Sequence, residues 1–336
     1  MLCQPPRVSI GLPVYNAAKY ISEAIESILN QTYTDFELII CDNCSTDETG
    51  QICQQYALRD NRVRYYRNPT NFGVSENFNR VFELSRGEYF KWSAHDDLIA
   101  PTYLARCVEI MDNDPSVVLC HSQTVLIDSE GKEFAFDSVE NCYVDVFGNL
   151  YRPDTHREVE NWYPHETYAE VLMQTRWCWK IFALMRKEQL TNTSLHGLFY
   201  GSDKVLLAEM SLKGRFVEIP EPLFFNRRHS QQSFSLSSPR EREIYINPAA
   251  AKKKFILPRF ACVWGYTRAL LVADLNLSDR IRCLLVLCYW LIRLENWQRF
   301  FSDLYQHQLR KIYYRWFYTL QITDTPIPAS KSISPH

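Results

Sequence analysis

Glycine is scarce in this chain, 10 of 336 residues. Neither G-x-G-x-x-G nor G-x-x-x-x-G-K-[ST] occurs, so the two glycine-rich loops that bring backbone amides close to a phosphate are excluded. A basic excess is also missing: 37 Lys and Arg face 39 Asp and Glu, for a formal charge of -2. With no basic patch in the first 220 residues either, nucleic acid is not expected as the main partner. Long apolar runs are lacking. The longest near the C-terminus, CLLVLCYWLI at 283–292, is ten residues between Arg282 and Arg293, well short of the roughly 20 a spanning helix takes. The N-terminal MLCQPPRVSIG has no basic stretch followed by an apolar one, so no export signal is expected. Only one C-x-x-C occurs, Cys41 to Cys44, and the 11 cysteines follow no small-scaffold spacing. Reduced, mostly buried thiols and a cytoplasmic location follow as expectations.

What is present is enough to bury a core, with 46% hydrophobic residues. The first 120 residues alternate short apolar runs with helical patterns, the signature of an α/β protein with a mainly parallel central sheet flanked by helices. VSIGL (8–12), ELIIC (37–41), VRYYR (63–67), EYFKWS (88–93) and VVLCHS (117–122) read as strands. Helical spacing falls on Tyr20, Ile21, Ala24, Ile25, Ile28 and Leu29, then on a helix opened by a Ser45/Glu48 capping box. Further helices are expected around Phe78, Val81 and Phe82, and around Leu104, Cys107, Val108 and Met111. From Asp128 to His165 the periodicity fades, which predicts loops. Order resumes with an amphipathic segment at 166–176, a strand at KIFALM (180–185), a helix from about Asp203 to a C-cap at Gly214, and a strand at FVEIP (216–220). Residues 255–320 read as helical, and the Pro/Ser tail from 323 as disordered. The expected division is 1–235 for the α/β domain, with halves at 1–122 and 123–235, then a helical C-terminal extension at 236–322 and the tail 323–336.

Ligands on open parallel sheets bind at the carboxyl ends of the strands. Three polar clusters sit there: Pro13-Val14-Tyr15-Asn16, Asp42-Asn43 and His95-Asp96-Asp97. With both phosphate loops excluded, phosphate would be held by other means, of which paired carboxylates with a divalent cation are the obvious one. The lone C-x-x-C has neither a partner pair nor a helix starting at it, which favours packing over redox or zinc chemistry. His95 reads as structural. Asp96-Asp97 and Asp203, each considered alone, could equally be helix N-terminal residues, and Arg227-Arg228-His229 a solvated loop.

VSIGLPVYNAAKYISEAIESILNQTYTDFELIICDNCSTDET, NPTNFGVSENFNRVFELSRGEYFKWSAHDDLIAP and GSDKVLLAEMSLKGRFVEIPEPLFFNRRH together resemble the family 2 glycosyltransferases of the GT-A fold, over residues 8 to about 230. The resemblance implies a nucleotide-sugar donor, UDP-linked first among candidates, a divalent cation (Mn²⁺ or Mg²⁺), transfer with inversion, and a glycan, lipid-linked or other hydroxyl acceptor, as in cell-surface polysaccharide or glycolipid synthesis. Position by position it makes Asp42 the acceptor for the uracil N–H, Asp97 the metal ligand, Asp96 its neighbour on the metal or ribose, and Asp203 the general base. Pro13, Tyr15, Asn16 and Asn43 then line the donor, Asn71, Gly73 and Asn79 shape its flank, Arg227 and Arg228 meet the pyrophosphate, and His229 completes the metal shell. Four positions depart from the pattern: Asn43 stands for a second aspartate, Cys44 for a glycine, the contiguous Asp96-Asp97 for D-x-D, and Ser202 for a glutamate. QTRW at 174–177 has the wrong spacing for the Q-x-x-R-W of processive synthases. The competing classes are an inactive nucleotide- or carbohydrate-binding module on the same fold and a metal-dependent nucleotidyltransferase, for which PVYNAAKY is not the expected loop. The C-terminal segment with Trp290, Arg293, Trp297, Arg299, Arg310, Arg315 and Trp316 suits attachment at the inner face of a membrane; core packing or homo-oligomerisation explains it equally well.

Overall fold

The expected alternation is realised in a computed structural model of the chain, which describes residues 4–145, 147–154, 162–230, 232, 238–253 and 258–298. The chain divides into two units, Met1–Trp290 and Leu291–His336. The first half runs β1 (Val8–Val14), α1 (Ile21–Leu29), β2 (Phe36–Asp42), α2 (Thr49–Arg59), β3 (Val63–Arg67), α3 (Val74–Glu83), β4 (Tyr89–Trp92), β5 (Leu98–Ile99), α4 (Tyr103–Asn113) and β6 (Val117–Ile127). Every residue of β1 and β2 is buried, as expected of parallel strands covered on both faces. α1 turns Ile21, Ala24, Ile25 and Ile28 inward, the i, i+3, i+4, i+7 spacing of a helix lying on a sheet.

The second half runs β7 (Ala135–Asp137), β8 (Cys142–Val144), β9 (Leu150–Tyr151), α5 (Pro164–Met173), β10 (Leu184–Arg186), α6 (Lys187–Thr191), α7 (Ser202–Ser211), β11 (Arg215–Arg227), α8 (Pro239–Ile246), α9 (Pro258–Val272) and α10 (Leu277–Ile292). The main sheet has the order β3-β2-β1-β4-β10-β6-β11-β5. β1 to β4 run parallel, as do β6 and β11, while β10 lies antiparallel between β4 and β6. That reversed strand joins the two halves and leaves the ends of β1, β2, β4 and β11 to gather polar side chains.

Four local expectations are corrected. Residues 128–165 are not all loop: β7, β8 and β9 form a small antiparallel sheet, whose strands of two or three residues are too short to show a period. KIFALM is split, with a 3-10 turn at Trp179–Phe182 before β10. The Ser45/Glu48 capping box does not form; α2 begins at Thr49, and the Ser45 hydroxyl accepts the Asn16 N–H instead. Gly214 is not a left-handed cap, since α7 ends at Ser211 with Leu212 as its C-cap and Gly214 does not have positive φ. A Cβ there would meet Val118 Cγ1 at 2.4 Å and Ser116 O at 2.5 Å, so the glycine lets the start of β11 close on β6. The expected tail 323–336, with Arg299, Arg310, Arg315 and Trp316, lies outside the described residues.

Gly11, midway along β1, shows how tightly the donor half is packed. A Cβ there would lie 2.6 Å from Val81 Cγ2 of α3 and 2.8 Å from Phe90 Cζ of β4. Overpacking a filled core costs about 1–3 kcal/mol. Gly11→Ala is expected to lower stability by that amount in urea unfolding, and an unchanged midpoint would show that α3 yields.

Candidate active site

The turn after β1 is stitched to the turn after β2. Asn16 N donates to Ser45 Oγ at 3.0 Å, Ala17 N to Thr49 Oγ1 at 2.7 Å and Ala18 N to Asp47 Oδ2 at 3.2 Å, while Thr46 N donates to Asn16 Oδ1 at 2.9 Å. Asn16 and Cys44 both have left-handed backbone, φ 48° and 68°. Cys44 therefore occupies a conformation that favours glycine and is strained for other residues. Pro13 is buried inside β1, and Tyr15 stands 41% exposed above the stitched turns. The result is a preformed rim.

Asp42 is not the solvent-facing acceptor that its strand-end position suggests. It is fully buried. Its Oδ1 accepts Ser45 N at 2.8 Å, and its Oδ2 accepts Tyr65 OH at 2.8 Å and Arg67 Nη1 at 2.6 Å. Asn43 beside it donates through Nδ2 to Asn71 Oδ1 at 2.8 Å and Gly73 O at 3.1 Å, and accepts through Oδ1 from Asn68 Nδ2 and Phe72 N. A carboxylate could supply neither donor, which accounts for asparagine where the resemblance has aspartate. Asn71 also accepts Gly73 N at 2.8 Å. Asn79 clamps the backbone of His196 through both ends of its amide and so holds the loop before α7. Cys41 is buried and its thiol is pushed up to about 12 by burial, as packing rather than redox chemistry requires.

The acidic pair follows β4. Asp97 Oδ1 accepts Asn226 Nδ2 at 3.0 Å and Arg227 N at 2.9 Å, both from the end of β11. Its Oδ2 is buried without a hydrogen-bond partner among the described residues. Burial and the neighbouring Asp96 charge push the Asp97 carboxyl up to about 8. Asp96 goes the other way. Burial opposes its ionisation, yet His229, His95 and Gln232 hold its carboxyl below the usual range; His229 Nε2 lies 2.9 Å from Asp96 Oδ2. Arg227 is drawn into the fold rather than toward a ligand: it is fully buried, donates to Asp96 O, Ser129 O and Glu23 Oε2, and covers the Tyr20 ring at 4.8 Å. His229 packs on that same ring at 4.8 Å. Tyr20 and Glu23 thus tie the pair to α1 and the β1 turn.

Arg228 faces the other way, over the rings of Trp177 at 4.6 Å and of Tyr151 and Trp179 at 5.6 Å. Burial lowers its pKa, and Asp97 and Asp96 are among the charges that oppose this. Trp177 and Trp179 stack with centroids 5.9 Å apart. Cys178 between them is left-handed at φ 56°, and its thiol interacts electrostatically with Asp203. Asp203 sits in the first turn of α7 behind Gly201, which holds φ 91°. Burial raises its carboxyl above the usual range, against the Lys204 N–H and the Cys178 thiol. A line of interactions thus runs from Asp97 to Arg228 by electrostatics, from Arg228 to Trp177 and Trp179 by ring contact, and from Cys178 to Asp203 by electrostatics. Glu209, a second candidate base on the same helix, is occupied by Ser194 N and Oγ at 2.7 and 2.8 Å. A cavity of about 630 Å³ borders the line, its wall including Trp179, Asp154, Tyr143, Phe134 and Phe224.

The structure therefore brings together Asp96, Asp97, Arg228 and His229, places Asp203 behind the 177–179 segment that Arg228 covers, and gathers Pro13, Tyr15, Asn16, Asp42, Asn43 and Asn71 into the rim. It places Arg227 and Asn79 in supporting roles. The arginine–tryptophan stack, the Cys178 bend and the Asp42–Arg67 pair were missed. T-R-W-C-W-K at 175–180 carried the first two signals, but only its spacing from Gln174 was weighed.

Among the described residues no group of three or more His, Cys, Asp or Glu side chains is arranged to hold a metal ion. His229, expected in a metal shell, spends Nε2 on Asp96. Asp97 Oδ2 nonetheless fits a hard cation: it is a buried carboxylate oxygen without a partner among the described residues. Two adjacent carboxylates suit Mg²⁺ or Mn²⁺ that takes its other ligands from phosphate and water.

Comparison with known proteins agrees with this geometry. Residues 9–188 match the model of a family described as Glycosyl transferase family 2. The chain is 38% identical over 126 residues to chondroitin synthase of Escherichia coli, covering 38% of this chain and 18% of that protein. It is 33% identical over 113 residues to the glycosyltransferase GlyG of Streptococcus pneumoniae, covering 33% of this chain and 38% of GlyG. These matches span less than half the length of either relative. Among solved structures, S. aureus TarS 1-349 in complex with UDP-GlcNAc superposes with a TM-score of 0.57 at 16% identity, over 90% of this chain and 80% of that one. The UDP complex gives 0.56 at 17%, over 85% and 70%. The shared fold, a large mixed sheet flanked by helices, is what these structures establish.

Asp97 makes a pH prediction. Its carboxyl titrates near 3.8 when unfolded and about 8 when folded, so between those values the unfolded chain releases the proton and the folded chain keeps it. Stability attributable to Asp97 is complete below about 4 and is lost as pH rises through about 8. In chelator, Asp97→Asn is expected to flatten the fall of the thermal midpoint across that window; an unchanged pH profile would mean the carboxylate is ionised at no cost.

Proposed function

Because the chain belongs to glycosyl transferase family 2, we propose that it transfers a sugar from a nucleotide-sugar donor to a hydroxyl acceptor, with inversion, in the synthesis of a cell-surface polysaccharide or glycolipid. The observation that carries this reading is the pairing of two carboxyl environments, linked through the Arg228–Trp177–Trp179 stack by ring and electrostatic interactions. Asp96-Asp97 closes β4 beside a buried guanidinium, and Asp203 opens α7 with its pKa raised by burial. UDP is the favoured nucleotide, supported by the UDP and UDP-GlcNAc in the TarS complexes. The base of the donor lies on the rim made by Tyr15, Asn16 and the 43–46 turn. Asp42, with both oxygens engaged, acts by holding that turn and Arg67 in place.

The pyrophosphate lies toward Asp96, Asp97 and Arg228. Asp97 and Asp96 would hold Mn²⁺ or Mg²⁺, which when bound supplies Lewis-acid stabilisation to the departing diphosphate. Arg228 adds a fixed positive charge whose direction is set by three rings rather than by a flexible chain. The acceptor enters from the cavity walled by Trp179 and Asp154. Asp203 takes the proton of its hydroxyl as the oxygen attacks the anomeric carbon and the bond to the nucleoside diphosphate breaks. A raised pKa suits this role, since a base is most effective when its pKa approaches the working pH.

Asp203→Asn preserves shape and removes the proton acceptor. Acceptor-dependent release of nucleoside diphosphate is expected to fall about 10² to 10⁴-fold, the range for general acid–base loss, with donor affinity by calorimetry unchanged. Turnover within a few-fold of wild type would place the base elsewhere. Absence of any acceptor-dependent release by the wild-type chain across a panel of UDP-sugars, despite donor binding, would favour a binding module.

A further inference from the structure

The two last described helices turn apolar faces outward. α10 packs inward through Cys283 and Leu287, both buried, with Trp290 edge-on to Tyr266 of α9 at 5.5 Å. On its other side Leu277, Ile281, Leu284, Leu285 and Tyr289 are 40 to 74% exposed, and Cys288 is exposed with them. At about 100° per residue these six fall within one arc of roughly 140°, uninterrupted by a charged side chain except Arg282 at its margin. α9 repeats the pattern. Tyr266, Ala269 and Leu270 are buried, while Phe260, Trp264 and Leu271 are exposed and recur at i, i+4 and i+11, one line on a helix. Arg280 fixes the turn between the helices by donating to Leu270 O and Ala273 O.

Charge says what covers this face. Residues 1–247 hold 24 Lys and Arg against 34 Asp and Glu, and residues 248–290, which carry α9 and most of α10, hold 7 against 2. The chain's near-neutral total therefore conceals an acidic catalytic part and a basic C-terminal part. Lys252 and Lys253 are exposed shortly before α9, Arg282 is exposed on α10, and Arg268 of α9 is exposed with one guanidinium nitrogen 3.4 Å from Glu209. A two-fold contact between copies would set these cations against their own likes, because such an interface brings the same patch from both partners. An anionic bilayer instead neutralises them while accepting apolar side chains, with Trp264 and Tyr289 at headgroup depth. No described helix is long and apolar enough to cross a membrane, so the face would rest on the surface. We propose that the outward face of α9 and α10 is a docking surface for an anionic lipid bilayer, which would bring the transfer site to acceptors held at that surface.

The test is sedimentation of the full chain with vesicles of phosphatidylcholine alone or mixed with phosphatidylglycerol. Binding is expected to the mixed vesicles, weakened by salt, and to fall about tenfold or more in Ile281→Glu/Leu285→Glu, since each removes an apolar side chain from the contact. Circular dichroism, the thermal midpoint and donor titration of the variant are expected to match wild type, which separates lost docking from lost folding. Failure of the wild type to sediment with anionic vesicles overturns the proposal, as does equal binding by the folded variant. So does light scattering that shows a wild-type dimer made monomeric by the same two substitutions while vesicle binding is unaffected.

Discussion

One oxygen of Asp97, bonded to Asn226 and to the Arg227 amide, holds the turn after β4 against the end of β11. β4 belongs to the parallel donor half, and β11 is paired with β6 in the other half. The antiparallel β10 joins the two halves through the sheet, but these hydrogen bonds close them at the site itself. They also direct the residues that follow β11. Arg227 turns inward to Glu23 and Tyr20, Arg228 outward to the tryptophan stack, and His229 back to Asp96. The Asp97 carboxylate, together with the β5–β11 and β6–β11 pairing beside it, thereby sets the placement of three consecutive cationic or ionisable side chains.

The arrangement is costly without a ligand. A buried carboxylate with an orphaned oxygen next to a second acid disfavours its own ionisation, and removing one partner of such a site leaves unpaired charge in the interior. A fold that served only as packing would gain by an apolar residue here. Retaining the charge is reasonable where a cation and a diphosphate complete the site, which is the physical link between the cost of burying the two acids side by side and the proposed chemistry. The left-handed Cys44 and Cys178 are similar: both are strained bends, one at the donor rim and one beside Asp203, where strain is commonly held by surrounding structure for function.

Sequence reading reached the donor half because its signals are local. Uninterrupted apolar runs gave β1, β2 and β6, and helical spacing gave α1, α3 and α4, within a few residues. Polar residues at strand ends marked Asp42, Asn43, Asp96 and Asp97. What those residues bond to was not legible, since Tyr65, Arg67, Asn68 and Asn226 reach them from distant segments. Asp42 is marked by its strand-end position, but nothing in ICDNC shows that an arginine 25 positions later will pair with it. Arg227 and Arg228 are neighbours of identical type, and only the alternation of a strand end, with one side chain in and the next out, separates their roles. β7 to β9 escaped notice because short strands carry too few residues for a period, and the Ser45 hydroxyl was claimed by the preceding turn instead of by its own helix.

The central claim is that the Asp96-Asp97 pair, Arg228 and the stitched rim form one cation-assisted diphosphate site. Calorimetric titration of the wild-type chain with UDP, in excess Mn²⁺ and again in excess chelator, tests it most directly. The account predicts binding that is strong with the cation and weakened by at least about tenfold without it, a difference of about 1.4 kcal/mol. Equal affinity in the two conditions, or no binding in either, would contradict it.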